Sequence, residues 1–167
     1  MRHLLFLACA LFFVCAAPSC ARKTTPQQAA NQPTDKDLQA ETGPVLTFER
    51  TVCMGMCPAY KAEVYADGKV EYNGGLHVPV LGKKTFELPT GLVIDMLDRA
   101  QNVGFSQLKE QYSMGITDVP STIIAVRQPD GQLKTVQIEG TPPTELQGFV
   151  NYLRNEFDQL AGLTADR

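Results

Sequence analysis

Four sulfur-bearing side chains fall within five residues, Cys53-Met54-Gly55-Met56-Cys57, and Pro58 follows at once. Three chemistries fit that spacing. Oxidised to each other, the cysteines would close a short loop and restrain the unfolded chain, contributing about 2 kcal/mol. Gly55 would then give the loop freedom to turn. Reduced, the two thiolates and two thioethers are soft donors of the kind that suits Cu(I), and His77 could add a nitrogen. As a thiol redox centre the pair would need an electropositive setting or a helix N-terminus to lower a thiol pKa. Arg50 is near, but no helix is expected after Cys57, and the spacing is not C-x-x-C.

The compartment bears on the choice. The chain opens MRHLLFLACALFFVCAAPSCARK: a basic Arg2, an apolar run Leu4–Val14, small residues Ala16-Ala17-Pro18-Ser19, then Cys20. The run is shorter than the roughly 20 residues a membrane-spanning helix needs. It has the form of a secretory signal. Small residues before a cysteine resemble a bacterial lipobox, in which the cysteine is acylated and becomes the new N-terminus. Ala17 replaces the usual aliphatic residue, and cleavage after Ala17 at Cys15-Ala16-Ala17 is the alternative. The expectation is a signal over 1–19, a lipidated Cys20, and a bacterial cell-envelope domain held at a membrane outside the cytoplasm. Cys9 and Cys15 would leave with the signal. Only Cys53 and Cys57 then remain outside the anchor, in a setting where disulfides persist. The expected state is therefore the disulfide. The spelling C-x-x-x-C-P also resembles the copper site of Sco-type chaperones, but there the motif joins a strand to a helix in a thioredoxin fold. Here Tyr60 to Ala66 reads as a strand.

Composition narrows the function further. The formal net charge is −3, and loss of residues 1–19 removes one basic and no acidic residue. Nucleic-acid binding, which uses a basic face, is not expected. Of the two histidines, His3 falls in the signal. A hydrolytic triad would rest on His77 alone, no G-x-S-x-G frames a serine, and the glycines lack phosphate-loop spacing. No catalytic residue, metal or cofactor is called for by these motifs. Residues 20–44 contain no aromatic and one large aliphatic, Leu38, so they cannot bury enough apolar surface to offset the entropy of ordering. They read as the lipidated cysteine and a flexible tether. Residues 45–163 form one domain, and 164–167 a tail.

The elements that must position the cysteines follow from periodicity. Val45–Thr51 reads as a strand. Lys61–Ala66 and Lys69–Asn73 alternate on either side of Asp67-Gly68. A three-residue loop, Ala66-Asp67-Gly68, places Val64 opposite Val70 and Ala62 opposite Tyr72, with Gly68 left-handed in a G1 bulge. Lys83–Leu88 is a fourth strand, burying Phe86 and Leu88. Val93, Met96, Leu97, Ala100 and Val103 recur at helical spacing, and Gly104 is the stop, with Phe105 packing back. Ile123–Gln128 and Leu133–Ile138 flank Pro129-Asp130-Gly131 in a hairpin whose register is left open. The last helix starts at Thr141-Pro142, or at Thr144 with Gln147 as a capping box. Its stripe is Leu146, Phe149, Val150, Leu153, Phe157 and Leu160. The order ββββ-α-ββ-α predicts an α+β fold: a single antiparallel sheet of about six strands with both helices on one face. Lys61, Glu63, Lys69 and Glu71 would line the other.

The run Glu49-Arg50-Thr51-x-Cys53-x-Gly55-x-Cys57-Pro58-x-Tyr60, followed by Asp67-Gly68-x-Val70-x-Tyr72, resembles a family of bacterial lipoprotein and secreted domains catalogued as a domain of unknown function. Thr117-Asp118-x-Pro120 resembles it too. The likeness covers most of residues 45–160. It implies a fold and an envelope location, and no activity. The functional expectation is a non-enzymatic binding or interaction module. Its partners would be the membrane, through the lipid, and an envelope protein. A Cu(I)-binding or thiol-redox protein using Cys53 and Cys57 is the alternative. Tyr60, His77 and Asp118 are the candidate binding residues. Asp118-Val119-Pro120-Ser121 otherwise serves as a lead-in to a strand, since the residue before proline favours extended backbone. The apolar stretch Leu76–Leu81 reads as a cover for the core more than as a partner site.

Overall fold

A computed structural model describes residues 43–163 of the chain. The signal, Cys20, the tether up to residue 42 and the tail at 164–167 lie outside the described residues. Seven strands and two helices follow in the order β1 (Leu46–Arg50), β2 (Tyr60–Val64), β3 (Lys69–Gly74), β4 (Gly82–Glu87), α1 (Thr90–Asn102), β5 (Gln111–Tyr112), β6 (Ser121–Arg127), β7 (Leu133–Glu139) and α2 (Thr144–Leu160). They make one sheet, in spatial order β4-β3-β2-β1-β6-β7-β5. The α+β class holds. The sheet is mixed, not wholly antiparallel, because the two-residue β5 adds a seventh strand that pairs parallel to β7.

Alternation decides which face is buried. In β2, Tyr60, Ala62 and Val64 are buried while Lys61 and Glu63 face out. In β1, Leu46 and Phe48 are fully buried. The two helices supply the other half of the core through Val93, Met96 and Ala100 of α1 and Leu146, Phe149, Val150, Leu153 and Phe157 of α2. Phe48 stacks on Phe157 with ring centroids 5.1 Å apart. From Phe48 the aromatic contacts run across the sheet through Tyr60 and Tyr72 to Phe86. Phe86 and Leu88 are only partly buried, because β4 is an edge strand with one neighbour. Gly104, at φ 64°, ends α1 and lets Phe105 turn back into the core against Phe149.

The first hairpin has the register its sequence predicts: Val64 pairs with Val70 and Ala62 with Tyr72. Gly68 sits at φ 94°. The second hairpin repeats the device. Arg127 pairs with Leu133, Pro129-Asp130-Gly131 forms the loop, and Gly131 is at φ 83°. In both loops the aspartate carboxylate accepts the backbone N–H two residues on, Lys69 at 3.0 Å and Gln132 at 2.9 Å. The capping box at α2 does not form. Pro143 precedes the helix with no side-chain cap, and the Gln147 amide donates back to the Pro142 carbonyl instead. Two prolines fix the entry to the helix, so the orphan-donor role of Thr144 lapses.

Candidate functional site

β1 and β2 are antiparallel neighbours, and Arg50 at the end of one pairs directly with Tyr60 at the start of the other. The cysteine loop, residues 51–59, is what lies between them. Cys53 and Cys57 are joined as a disulfide, with Cα atoms 5.7 Å apart. In that state neither sulfur carries the thiolate charge that Cu(I) ligation or nucleophilic redox work would use. Gly55 donates its N–H to Cys53 Sγ at 3.2 Å. An added Cβ at Gly55 would meet only Cys53 Sγ at 3.8 Å, and its φ is not left-handed, so this turn does not require glycine.

Each end of the loop is clamped to a neighbouring segment, the start of β6 at one end and the loop after β3 at the other. On one side Thr51 N–H donates to the Ser121 carbonyl at 3.0 Å, and Ser121 N–H donates to Thr51 Oγ1 at 2.8 Å. On the other, Ala59 N–H donates to the Leu76 carbonyl at 2.8 Å and Gly75 N–H to the Ala59 carbonyl at 2.9 Å. The neighbour on that second side needs Gly74, where a Cβ would lie 1.9 Å from the Val80 carbonyl oxygen. Between the clamps, Val52, Met54 and Met56 are exposed, the two methionines at 83% and 84% of their full area. Leu76, Leu81, Met114 and Ile116 are exposed on the two adjoining loops. The same end of the sheet therefore gathers an apolar surface from three loops.

Beneath the loop is a charged strut. Arg50 lies on the same face of β1 as Leu46 and Phe48, and so points toward the helices. Its Nη1 donates to both oxygens of Asp158, at 2.8 and 3.1 Å, and the Tyr60 hydroxyl donates to Asp158 Oδ1 at 2.6 Å. One carboxylate from the last turns of α2 thus holds both residues that frame the loop. Burial of the phenol, then its hydrogen bond to Asp158, push the Tyr60 pKa far above the ordinary tyrosine value, and Arg50 opposes. Arg154 sits one turn before Asp158 on α2. Burial, then the charge of Arg50, pull its guanidinium below the ordinary arginine value.

The three sequence candidates fall at this end but do not converge. Tyr60 is buried in the strut. His77 is exposed in the loop joined to Ala59, and Asp118 is exposed in the loop that leads to Ser121. No hydrogen bond or ion pair joins the three among the described residues. His77 and Asp118 share a backbone feature instead: they are the non-glycine residues at positive φ, 56° and 65°. Such strain clusters at functional or over-determined loops. The stretch Asp118–Ser121 does lead into a strand, β6, and Asp118 turns left-handed one residue before the position that Pro120 constrains. Asp158 and Arg154 escaped the sequence reading. Their i, i+4 spacing on the flank of the apolar stripe was the available signal.

The model of a family described as Domain of unknown function (DUF6438) matches residues 44–157. The chain belongs to this family. The DUF6438 match spans β1 to the last turn of α2 and so includes the cysteine loop, both clamps and two of the strut's residues, Arg50 and Tyr60. No curated protein matches the sequence. Among the described residues of the DUF6438 domain no helix is long and apolar enough to cross a membrane, and no group of three or more His, Cys, Asp or Glu side chains could hold a metal ion.

Proposed function

We propose that this is a lipid-anchored cell-envelope domain that works by binding and not by catalysis, with the cysteine-loop end as its contact surface. Residues 1–19 would direct export, Cys20 would carry the lipid, and residues 20–44 would let the domain reach its partner. An envelope protein is the partner this reading favours. The observation that carries it is the exposure of Met54 and Met56 on a loop pinned at both ends and closed by a disulfide. Leaving two thioethers in water forgoes the burial that other large apolar residues achieve. Methionine packs adaptably against varied surfaces. A restrained loop also loses little conformational entropy when it docks.

The test has two arms. Cys20→Ala in the full chain moves the protein from the detergent phase to the aqueous phase if Cys20 is the anchor; unchanged partitioning refutes the anchor. A photoreactive residue at Met54 gives a discrete adduct in intact cells, and Met56→Asp in the same chain removes it. An adduct indifferent to Met56→Asp would count against the loop as the contact surface.

A further inference from the structure

The strut has more positive charge than it uses. Asp158 accepts three bonds, two from Arg50 and one from Tyr60, and so is committed to those partners. Arg154 lies on the same helix face, one turn away, yet no carboxylate pairs with it among the described residues. Its one hydrogen bond among the described residues is a long 3.4 Å contact from Nη1 to Asn151 Oδ1. Its Nε is closed off from solvent and has no acceptor. A donor on a charged group is costly to leave unmade once it is buried. The contrast within the molecule is Arg99, which donates Nε to Asp95 at 2.9 Å and lies over the Tyr152 ring. Arg154 as a whole is only half-buried and its Nη1 contact to Asn151 is an exposed one, so a ligand would meet the guanidinium at its Nη end and not at Nε.

We propose that Arg154, with Arg50 beside it, binds an oxyanion, a carboxylate or a phosphate group, at the foot of the cysteine loop. Two guanidinium groups against one committed carboxylate leave one positive charge uncompensated. The planar fork of arginine matches the paired oxygens of either group. The lowered pKa of Arg154 accords with this, since its first causes are burial and the charge of Arg50. The site stands apart from the apolar surface above it and would exist whether or not that surface docks a protein.

The test is thermal unfolding of the full chain in detergent, with acetate, inorganic phosphate or sulfate added to tens of millimolar at fixed ionic strength. A ligand that binds only the folded state raises the melting temperature along a curve that is logarithmic in its concentration once above its Kd. Sulfate and phosphate also stabilise most proteins by exclusion from the surface, so the variants decide. The expected result is that logarithmic rise in the native chain and in Arg99→Gln, and only the linear rise of exclusion in Arg154→Gln. Arg154→Lys keeps the charge without the fork and weakens the apparent affinity about tenfold, the loss of one charge-assisted hydrogen bond. A logarithmic rise with acetate marks a carboxylate ligand, and with phosphate but not acetate a phosphoryl one. A rise that is linear in anion, or equal in Arg154→Gln and the native chain, overturns the proposal.

Discussion

The two ends of the sheet are built on different terms. At one, both hairpins close through an x-Asp-Gly loop, with glycine in the left-handed position and the aspartate carboxylate bonded two residues on. Every conformational demand there is met by the residue best suited to it. At the other end the left-handed positions include His77 and Asp118, the connection is a disulfide loop, and apolar side chains from three loops stand in water. Local rules are satisfied at the hairpin turns and broken at the cysteine-loop end, where apolar side chains stay exposed. The difference teaches that the cysteine loop depends on support from outside itself, chiefly Asp158, whereas the hairpins carry their own.

That dependence predicts the largest effect. Asp158→Ala takes the carboxylate from both Arg50 and Tyr60, and breaks an Arg50–Asp158 pair whose side chains are about one-fifth exposed. The loss should be about 3 kcal/mol, at the lower bound for breaking a buried ion pair. Urea unfolding measures it, and a loss below about 1 kcal/mol, as for a surface pair, would dissolve the strut.

The pH dependence follows from the same cluster. Below about pH 10 the Tyr60 phenol keeps its proton folded or unfolded, and its contribution is constant. Above that the unfolded chain releases the proton while the folded phenol, desolvated and donating to Asp158, retains it. Stability therefore falls as pH rises. Tyr152, pushed up to about 12 by burial and then by its bond to Asp95, adds a term of the same sign. Tyr60→Phe should flatten the alkaline slope without abolishing it. Equal slopes for the two proteins would place Tyr60 in water.

Replacing both cysteines by serine should cost about 2 kcal/mol and leave the fold intact. The clamps at Thr51 and Ala59 survive, so amide exchange should rise within residues 52–58 and stay unchanged in β1 and β2. Exchange that spreads into the strands would show the disulfide, not the clamps, to be the fastening. At the opposite end, Gly131→Ala should cost about 1 kcal/mol, the price of a left-handed alanine alone, because an added Cβ meets nothing within 4 Å. Gly68→Ala should cost more, since its Cβ would lie 2.2 Å from the Leu88 carbonyl oxygen. Equal losses at the two glycines would remove that distinction.

The contrast between the ends also explains what could be read from the sequence. The first hairpin and both helices were legible because their signals are local: Asp67-Gly68 set a register, and apolar residues at threes and fours set a face. The second hairpin carries the same Asp-Gly signal, within Pro129-Asp130-Gly131, and applying the first argument to it would have fixed Arg127 opposite Leu133. The strand Gln111-Tyr112 gave no local cue, being two polar-flanked residues held by a parallel neighbour. Arg50 and Asp158 are 108 residues apart, and only tertiary packing brings a carboxylate from α2 under the loop. The cysteine pairing was readable from the two cysteines left outside the expected signal and anchor, but the clamps of the loop to Ser121 and Leu76 were not, because they join backbone to neighbours whose position depends on the whole sheet.

The account rests most directly on the cysteine-loop end being a contact surface, and one paired measurement addresses that claim. Photoreactive residues are placed singly at Met54 and, at the other end, at the exposed Asp130, in full chains carrying either the native residue or Asp at position 56. Met56→Asp is a surface change expected to alter stability by no more than about 0.5 kcal/mol, so any loss of adduct reports contact and not unfolding. The account predicts a discrete adduct from position 54 that Met56→Asp removes, and none from position 130. Adducts of equal yield from both ends, or from neither, would contradict it.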